Sequence, residues 1–318
     1  MELRQLKYFV GIVDAGSVSR AAQCLFIAQS ALSKQISELE RELGVQLLVR
    51  GRSGVLMTES GKVFYDYAQG ILKQLDDART AVRAPESIVG SVILGVPQSI
   101  SAALALPLLQ AARKQLPQVS LHLNEELTGN LLDQLRQGRI DLTLFTSNVP
   151  RADFDFEPMA DEDFYWVRGA DRPGPAMQAG ITLTAIAAQP LILSTSQHNH
   201  CMRTIIEQVF SEQRVPMPQL AAEINSVHTL KRAVQAGIAP TILPLALVAQ
   251  EVDAGDLVAH PIRCDAMRRT VGVCLSRDMP LTHAKRAVRT LVGKVVRQLC
   301  DQGGWRSARA VCAGEARD

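Results

Sequence analysis

No stretch of this chain approaches the roughly 20 consecutive apolar residues that span a bilayer. The apolar run at the amino end is short and Asp14 interrupts it, so neither a secretion signal nor a membrane partner is expected. Disulfide chemistry is equally thin. The 6 cysteines, Cys24, Cys201, Cys264, Cys274, Cys300 and Cys312, form no Cys-x-x-Cys and no disulfide spacing. Reduced thiols and a cytoplasmic location follow as expectations. His198, His200 and Cys201 sit close together, yet without a second ligand cluster a polar loop explains them better than a metal. No cofactor is expected. The chain also lacks a surplus of one charge, with a formal net charge of only +2. A nucleic-acid binder often carries a basic excess, so any such binding must be local, through a few cations and oriented dipoles, doubled by dimerisation. Enzyme signatures are missing too: no Gly-x-Ser-x-Gly elbow, His-Glu-x-x-His, Walker loop or Gly-x-Gly-x-x-Gly. Catalytic residues can lie far apart in sequence, but nothing here points to an enzyme.

What is present is a packed, multi-part protein. Hydrophobic residues make up 47% and mean hydropathy is +0.06, which excludes a disordered chain, and 318 residues suit two or three domains. The stretch Gln29 to Leu43 places Leu32, Ile36, Leu39 and Leu43 on one side of a helix, in steps of four, three and four. The opposite side is Gln29, Ser30, Ser33, Lys34 and Ser37, and the acids Glu38, Glu40 and Glu42 follow only later. Such a helix suits entry into the DNA major groove by its amino end. Gln pairs bidentately with adenine, Ser donates to bases or phosphates, and Lys reaches guanine or phosphate. Taken alone, an ordinary solvated helix face would look the same. The neighbours shift the balance. Leu3, Leu6, Phe9, Val10 and Val13 form a helical stripe. Ser17 caps a short helix carrying Arg20, with Val18, Ala21, Ala22 and Leu25 inward, and Phe26 to Ala28 turn into the next helix. That order is a helix-turn-helix. Beyond Gly44, two extended runs flank Gly51-Arg52-Ser53-Gly54, a hairpin wing with Arg50 and Arg52 near its tip.

The string from Leu6 to Gly61 resembles the amino-terminal domain of LysR-type transcriptional regulators. The matching pieces are Gly16-Ser17, Ala21-Ala22, Gln29-Ser30-Ala31-Leu32-Ser33, Leu39-Glu40, Leu43-Gly44, Leu47-Leu48-x-Arg50 and Thr58-Glu59-x-Gly61. Two positions depart: the family commonly has proline where Ser30 stands and phenylalanine where Leu48 stands. Ser30 is acceptable at a helix start, so base preference rather than fold would change. The opening residues and the Glu-Asp-Phe-Tyr run near Glu162 are most similar to the nitrogen assimilation control branch. The resemblance implies an α/β protein with a winged helix-turn-helix over 1–58, a linker and dimerisation helix with hinge over 59–87, and a two-lobed effector domain over 88–300, similar to periplasmic solute-binding proteins. It implies promoter DNA, a second copy of the chain (as dimers or dimers of dimers), a small-molecule effector and RNA polymerase as partners. A solute sensor without DNA activity is the rival reading; it leaves the first 60 residues or so unexplained.

The residues support that division. Phe64, Ala68, Ile71, Leu75, Ala78 and Val82 follow heptad steps, as in a two-chain coil; a helix packed on its own domain is the alternative. Pro85, Glu86 and Ser87 break it. From Gly90 strand-like and helix-like segments alternate, which predicts a parallel sheet; the resemblance implies two lobes joined by crossing strands, one near 91–162 plus 268–300 and a second near 163–267. LLDQLRQGRIDLTLF and TLKRAVQAGIAPTILP echo each other as helix, glycine, strand. Ligands in such folds sit off the carboxyl ends of strands. That selects Ser99, Ile100, Ser101, Thr128, Thr146, Ser196 and Ser226 for a small anionic effector, although each hydroxyl could equally be a helix cap, and the resemblance to the nitrogen assimilation control branch implies action without an inducer and a vestigial cleft. The tail 301–318 has few large apolar groups and is expected to be mobile, with Trp305 as a candidate anchor.

Overall fold

The computed structural model describes residues 1–51, 54–83, 87–146, 152–171, 180–195 and 201–311, the side chains of Arg50 and Cys201 excepted. Two compact units emerge, one from residues 1–86 with 136–140, the other from 87–135 and 141–318.

The first unit opens with α1 (Leu3–Ala15), ended by Gly16 in a left-handed conformation at φ 62°. Next comes α2 (Val18–Cys24), capped by the Ser17 hydroxyl, which accepts from the backbone N–H of Arg20. Phe26 takes φ 55° in the turn, and α3 (Gln29–Leu43) follows with the expected bounds. Phe9, Ile12, Ala21, Ala22, Leu32, Ile36, Leu39 and Leu47 form one core. Burying each large side chain contributes about 1.5–3 kcal/mol. Two expected core positions are instead exposed, Leu3 at 45% and Leu43 at 37%. Both lie at helix ends, where the apolar face has run past its partner, and Ile12 fills the place next to Phe9.

The wing is β1 (Leu48–Gly51) paired antiparallel with β2 (Gly54–Met57). Glu40 fixes its entry: one carboxylate oxygen accepts from the N–H of Leu47 at 2.8 Å and of Leu48 at 3.0 Å. Its turn end is fixed at the α1–α2 corner, where Val55 N–H donates to the Gly16 carbonyl at 3.0 Å. Gly54 sits at φ 126°, and a Cβ there would stand 2.4 Å from that same carbonyl oxygen; only glycine fits.

Thr58 caps α4 (Glu59–Arg83) by accepting from Gly61 N–H at 2.9 Å, while its hydroxyl donates to the Gln46 carbonyl at 2.6 Å. The heptad seam expected on this helix is divided. Phe64 turns inward and meets the Phe9 ring edge-on at 5.2 Å, and Ala68 is fully buried. The stripe left open is Val63, Tyr67, Ile71, Ala78 and Val82. The Tyr65 hydroxyl donates to Asp14, and burial together with that bond pushes its pKa above the ordinary tyrosine range. Of the expected hinge, residues 85 and 86 lie outside the described residues.

The second unit is built on β3 (Gly90–Pro97), α5 (Gln98–Gln115), β4 (Val119–Glu126), α6 (Thr128–Arg136), β5 (Leu142–Thr146) and β6 (Phe154–Gly169). Then come α7 (Leu183–Ala187), β7 (Leu191–Leu193), α8 (Cys201–Glu212), β8 (Leu220–Glu223), α9 (Val227–Gln235) and β9 (Thr241–Pro244). A 3-10 turn (Leu245–Val248), α10 (Ala249–Asp253), β10 (Leu257–Pro261), β11 (Arg268–Ser276), α11 (His283–Asp301) and β12 (Ala308–Ala310) complete it.

The sheet is mixed rather than parallel. Its order is β10-β6-β11-β5-β3-β4; β3 runs parallel to β4 and β5, while β11 is antiparallel to β5 and β6. The alternating pattern misled because β6 is a long strand whose two halves pair with different partners, and β11 enters the sheet antiparallel between β6 and β5. The 154–163 half of β6 pairs β11, and the 164–169 half pairs β9 and β10. One core gathers β3, α5, β5 and α11; two others gather around Trp166 and around Val167. Through residue 311 the expected mobile tail is instead folded. Trp305 is 1% exposed and β12 pairs with β6; residues 312–318 lie outside the described residues. Among the described residues no helix is long and apolar enough to cross a membrane.

Candidate nucleic-acid interface and regulatory cleft

Leu32, Ile36 and Leu39 turn the back of α3 into the core, which forces the other face outward. Gln29, Ser30, Lys34 and Ser37 are exposed and Ser33 is half-buried. The five residues expected to share that face do share it. Ala28 stands at the N-cap and supplies no side-chain bond, so the first-turn N–H groups remain for an outside acceptor. Lys34 lies 3.9 Å from the Glu38 carboxylate at 76% exposure. An exposed pair of that kind contributes about 0.3–0.5 kcal/mol, too little to withhold the ammonium from a phosphate. Glu40 is committed to the wing, so the acidic rear of α3 is largely engaged in holding the unit together. The Ser17 hydroxyl is spent on its cap, whereas Arg20 is exposed beside it. The backbone of Arg50 lies in β1 opposite Val55; its side chain, like Arg52, is outside the described residues. Ser19, which the motif reading passed over, donates to the side-chain oxygen of Gln29 at 2.9 Å.

In the second unit a cavity opens off the ends of β3, β5 and β9. Its lining includes Ser99, Ile100, Thr128 and Thr146 from the expected set, and adds Glu126, Phe145, Ser194, Asn225 and Arg269. Ser101 does not line it. Ser226 caps α9 by accepting from Thr229 N–H at 3.3 Å, so its hydroxyl is a cap. Ser196, His198 and His200 lie outside the described residues. The water-accessible space is about 40 Å³, room for roughly three waters at the ~10–15 Å³ that each needs.

Arg269 decides the character of this cavity. Its guanidinium donates to Glu162 at 2.8 Å and to the Ser99 hydroxyl at 2.8 Å, and lies 5.8 Å from the centre of the Phe164 ring. The other Glu162 oxygen accepts from the Trp305 indole N–H at 2.7 Å. Arg269 and Glu162 are 2% and 0% exposed and face each other across β11 and β6. The cluster therefore joins β6, β11, the first turn of α5 and the carboxyl-terminal segment. Nearby, burial, with help from Asp301 and Glu162, pushes the Cys300 thiol up to about 11, so it stays protonated near neutrality. No local signal marked Arg269, because its partner is 107 positions away.

Comparison with known proteins bears on both units. Residues 3–62 match the family model described as bacterial regulatory helix-turn-helix protein, lysR family, and residues 85–297 match the LysR substrate binding domain. The chain is 38% identical to the nitrogen assimilation regulatory protein nac of Klebsiella aerogenes, over 77% of this chain and 78% of that one. Identity to the protein of the same name from Escherichia coli (strain K12) is 32%, over 93% and 95% of the two chains. Among solved structures, a full-length OxyR variant from Pseudomonas aeruginosa is similar with a TM-score of 0.67 at 25% identity, covering 93% of this chain and 98% of that one. Full-length CbnR complexed with its target DNA gives a TM-score of 0.68 at 22% identity, covering 94% and 99%.

Proposed function

The chain belongs to the LysR family of bacterial helix-turn-helix transcriptional regulators, and from that membership we propose how its parts divide the work. Residues 1–58 bind promoter DNA, with α3 in the major groove and the wing along the backbone. Gln29, Ser30 and Ser33 supply sequence preference. Lys34, Ser37, Arg20, Arg50 and Arg52 supply phosphate affinity, with the Ser17 cap holding α2 in place. The observation that carries this reading is the open face of α3: apolar residues fill its back, and among the described residues no side chain of its own unit buries the front. A ligand sensor without DNA activity leaves that face without a use. Target promoters in nitrogen metabolism are supported by the identities to nitrogen assimilation regulators.

The self-association partner is a second copy of the chain, docked along the open α4 stripe. Val63 is 59% exposed, Tyr67 57% and Val82 81%, more apolar surface than one solvated helix normally leaves open. Two paired domains would address successive major grooves. The second unit holds a small-molecule effector cleft between its lobes, and its chemistry departs from the anion pocket expected above. The cleft arginine is already neutralised by Glu162, so a carboxylate would meet hydroxyls and not a spare cation. Glu126 on the lining disfavours an anion further.

The test is a titration of the full chain against duplexes recovered from a random library by in vitro selection. Binding is expected to weaken linearly in log salt. Lys34→Ala should reduce that slope by about one per protomer while leaving the order of preferred sequences unchanged. Failure to retain any duplex, or a slope untouched by Lys34→Ala, would sink the assignment.

A further inference from the structure

We propose that Ser19 is a positioning residue for base readout, acting through Gln29. The inference rests on the DNA interface argued above. A glutamine that reads adenine uses one amide N–H toward N7 and its carbonyl oxygen toward the N6 amino group. Both ends of an unrestrained amide are similar in shape, so a free glutamine samples either orientation at the groove. Here Ser19 donates to the Gln29 side-chain oxygen at 2.9 Å. That bond occupies one of the two lone pairs on the oxygen and leaves the second for the adenine amino group. It also turns the amide nitrogen away from Ser19 and leaves both its N–H groups for the base. Ser19 thus holds the Gln29 side chain at the groove with its second oxygen lone pair and both N–H groups open, and removes rotamer freedom before DNA arrives.

The local fold explains why this residue can do so. Ser17 caps α2, which places Ser19 in its first turn and on the exposed side, while Ala21 and Ala22 face the core. Gln29 opens α3 across a turn that Ile27 N–H closes onto the Ala22 carbonyl at 3.0 Å. The small Ala21 and Ala22 of α2 share a core with Leu32 and Ile36 of α3, and the two amino-terminal turns come within side-chain reach.

A net side-chain hydrogen bond of this kind implies an affinity effect of about three- to tenfold. The experiment uses the full chain and a duplex obtained by in vitro selection, with each adenine replaced in turn by 7-deazaadenine, which lacks N7. Wild-type binding should drop at one adenine per half-site. Ser19→Ala should weaken binding about three- to tenfold and lose that sensitivity, Ser19→Thr should retain it, and Ser19→Ala should add nothing in a Gln29→Ala background. An equal loss from Ser19→Ala with and without Gln29 would overturn the proposal in favour of a direct phosphate contact. Unchanged binding by Ser19→Ala would overturn it outright. Selection that recovers no duplex would refute the interface reading itself, and this inference with it.

Discussion

Arg269→Ala is expected to destabilise the regulatory unit by about 3–5 kcal/mol, the usual cost of leaving a buried charge without its partner. Glu162 is fully buried and would keep only the Trp305 indole as a donor from this cluster. The Ser99 hydroxyl would lose the guanidinium that it accepts from. Denaturant unfolding should show a lower midpoint with little change in slope. The paired change Arg269→Met with Glu162→Leu should recover much of the loss, because removing both charges leaves none stranded. A single-variant effect below about 1 kcal/mol would place this site in the range of an exposed ion pair and refute the account of the cluster.

Gln29→Ala combined with Ser33→Ala is expected to cost the second large effect, on DNA rather than on folding. A bidentate glutamine contact accounts for about 1–3 kcal/mol of discrimination, and a serine contact adds less. Specific affinity should therefore fall about 10–100-fold, while binding to random duplex stays near its original value because the phosphate contacts persist. Neither residue belongs to the core of the first unit, so thermal unfolding should be unchanged. Full operator affinity in the double variant would show that the outward face of α3 reads nothing.

The parts of this fold written in short spacings were readable from the chain. The bounds of α3, the Ser17 cap, the wing and the start of α4 each rest on residues within a few positions of one another. Errors arose where distant segments decide. The strand pairing of β6 depends on partners near 241, 257, 268 and 308, so the alternation of strand-like and helix-like segments gave no sign that one strand serves both sets. Trp305 was readable as a candidate anchor of the tail, but what it anchors to was not, because its acceptor, Glu162, lies 143 residues earlier. On α4 the expected seam splits: Phe64 and Ala68 pack into their own unit, Phe64 against Phe9, while Ile71, Ala78 and Val82 stay exposed. For the cleft, hydroxyls near strand ends were found by position. The charge that neutralises Arg269 was invisible without the β6–β11 register.

The contact between Gly54 and the Gly16 carbonyl has a consequence for target choice. With the hairpin held at its turn end by the corner between the first two helices and at its root by Glu40, the reading head is braced at both ends. On a duplex such a head would behave as a caliper set to one opening. Sequences whose grooves cannot widen or narrow to that opening would be refused even when every touched base is correct, so the stiffness of untouched steps would enter the recognition code.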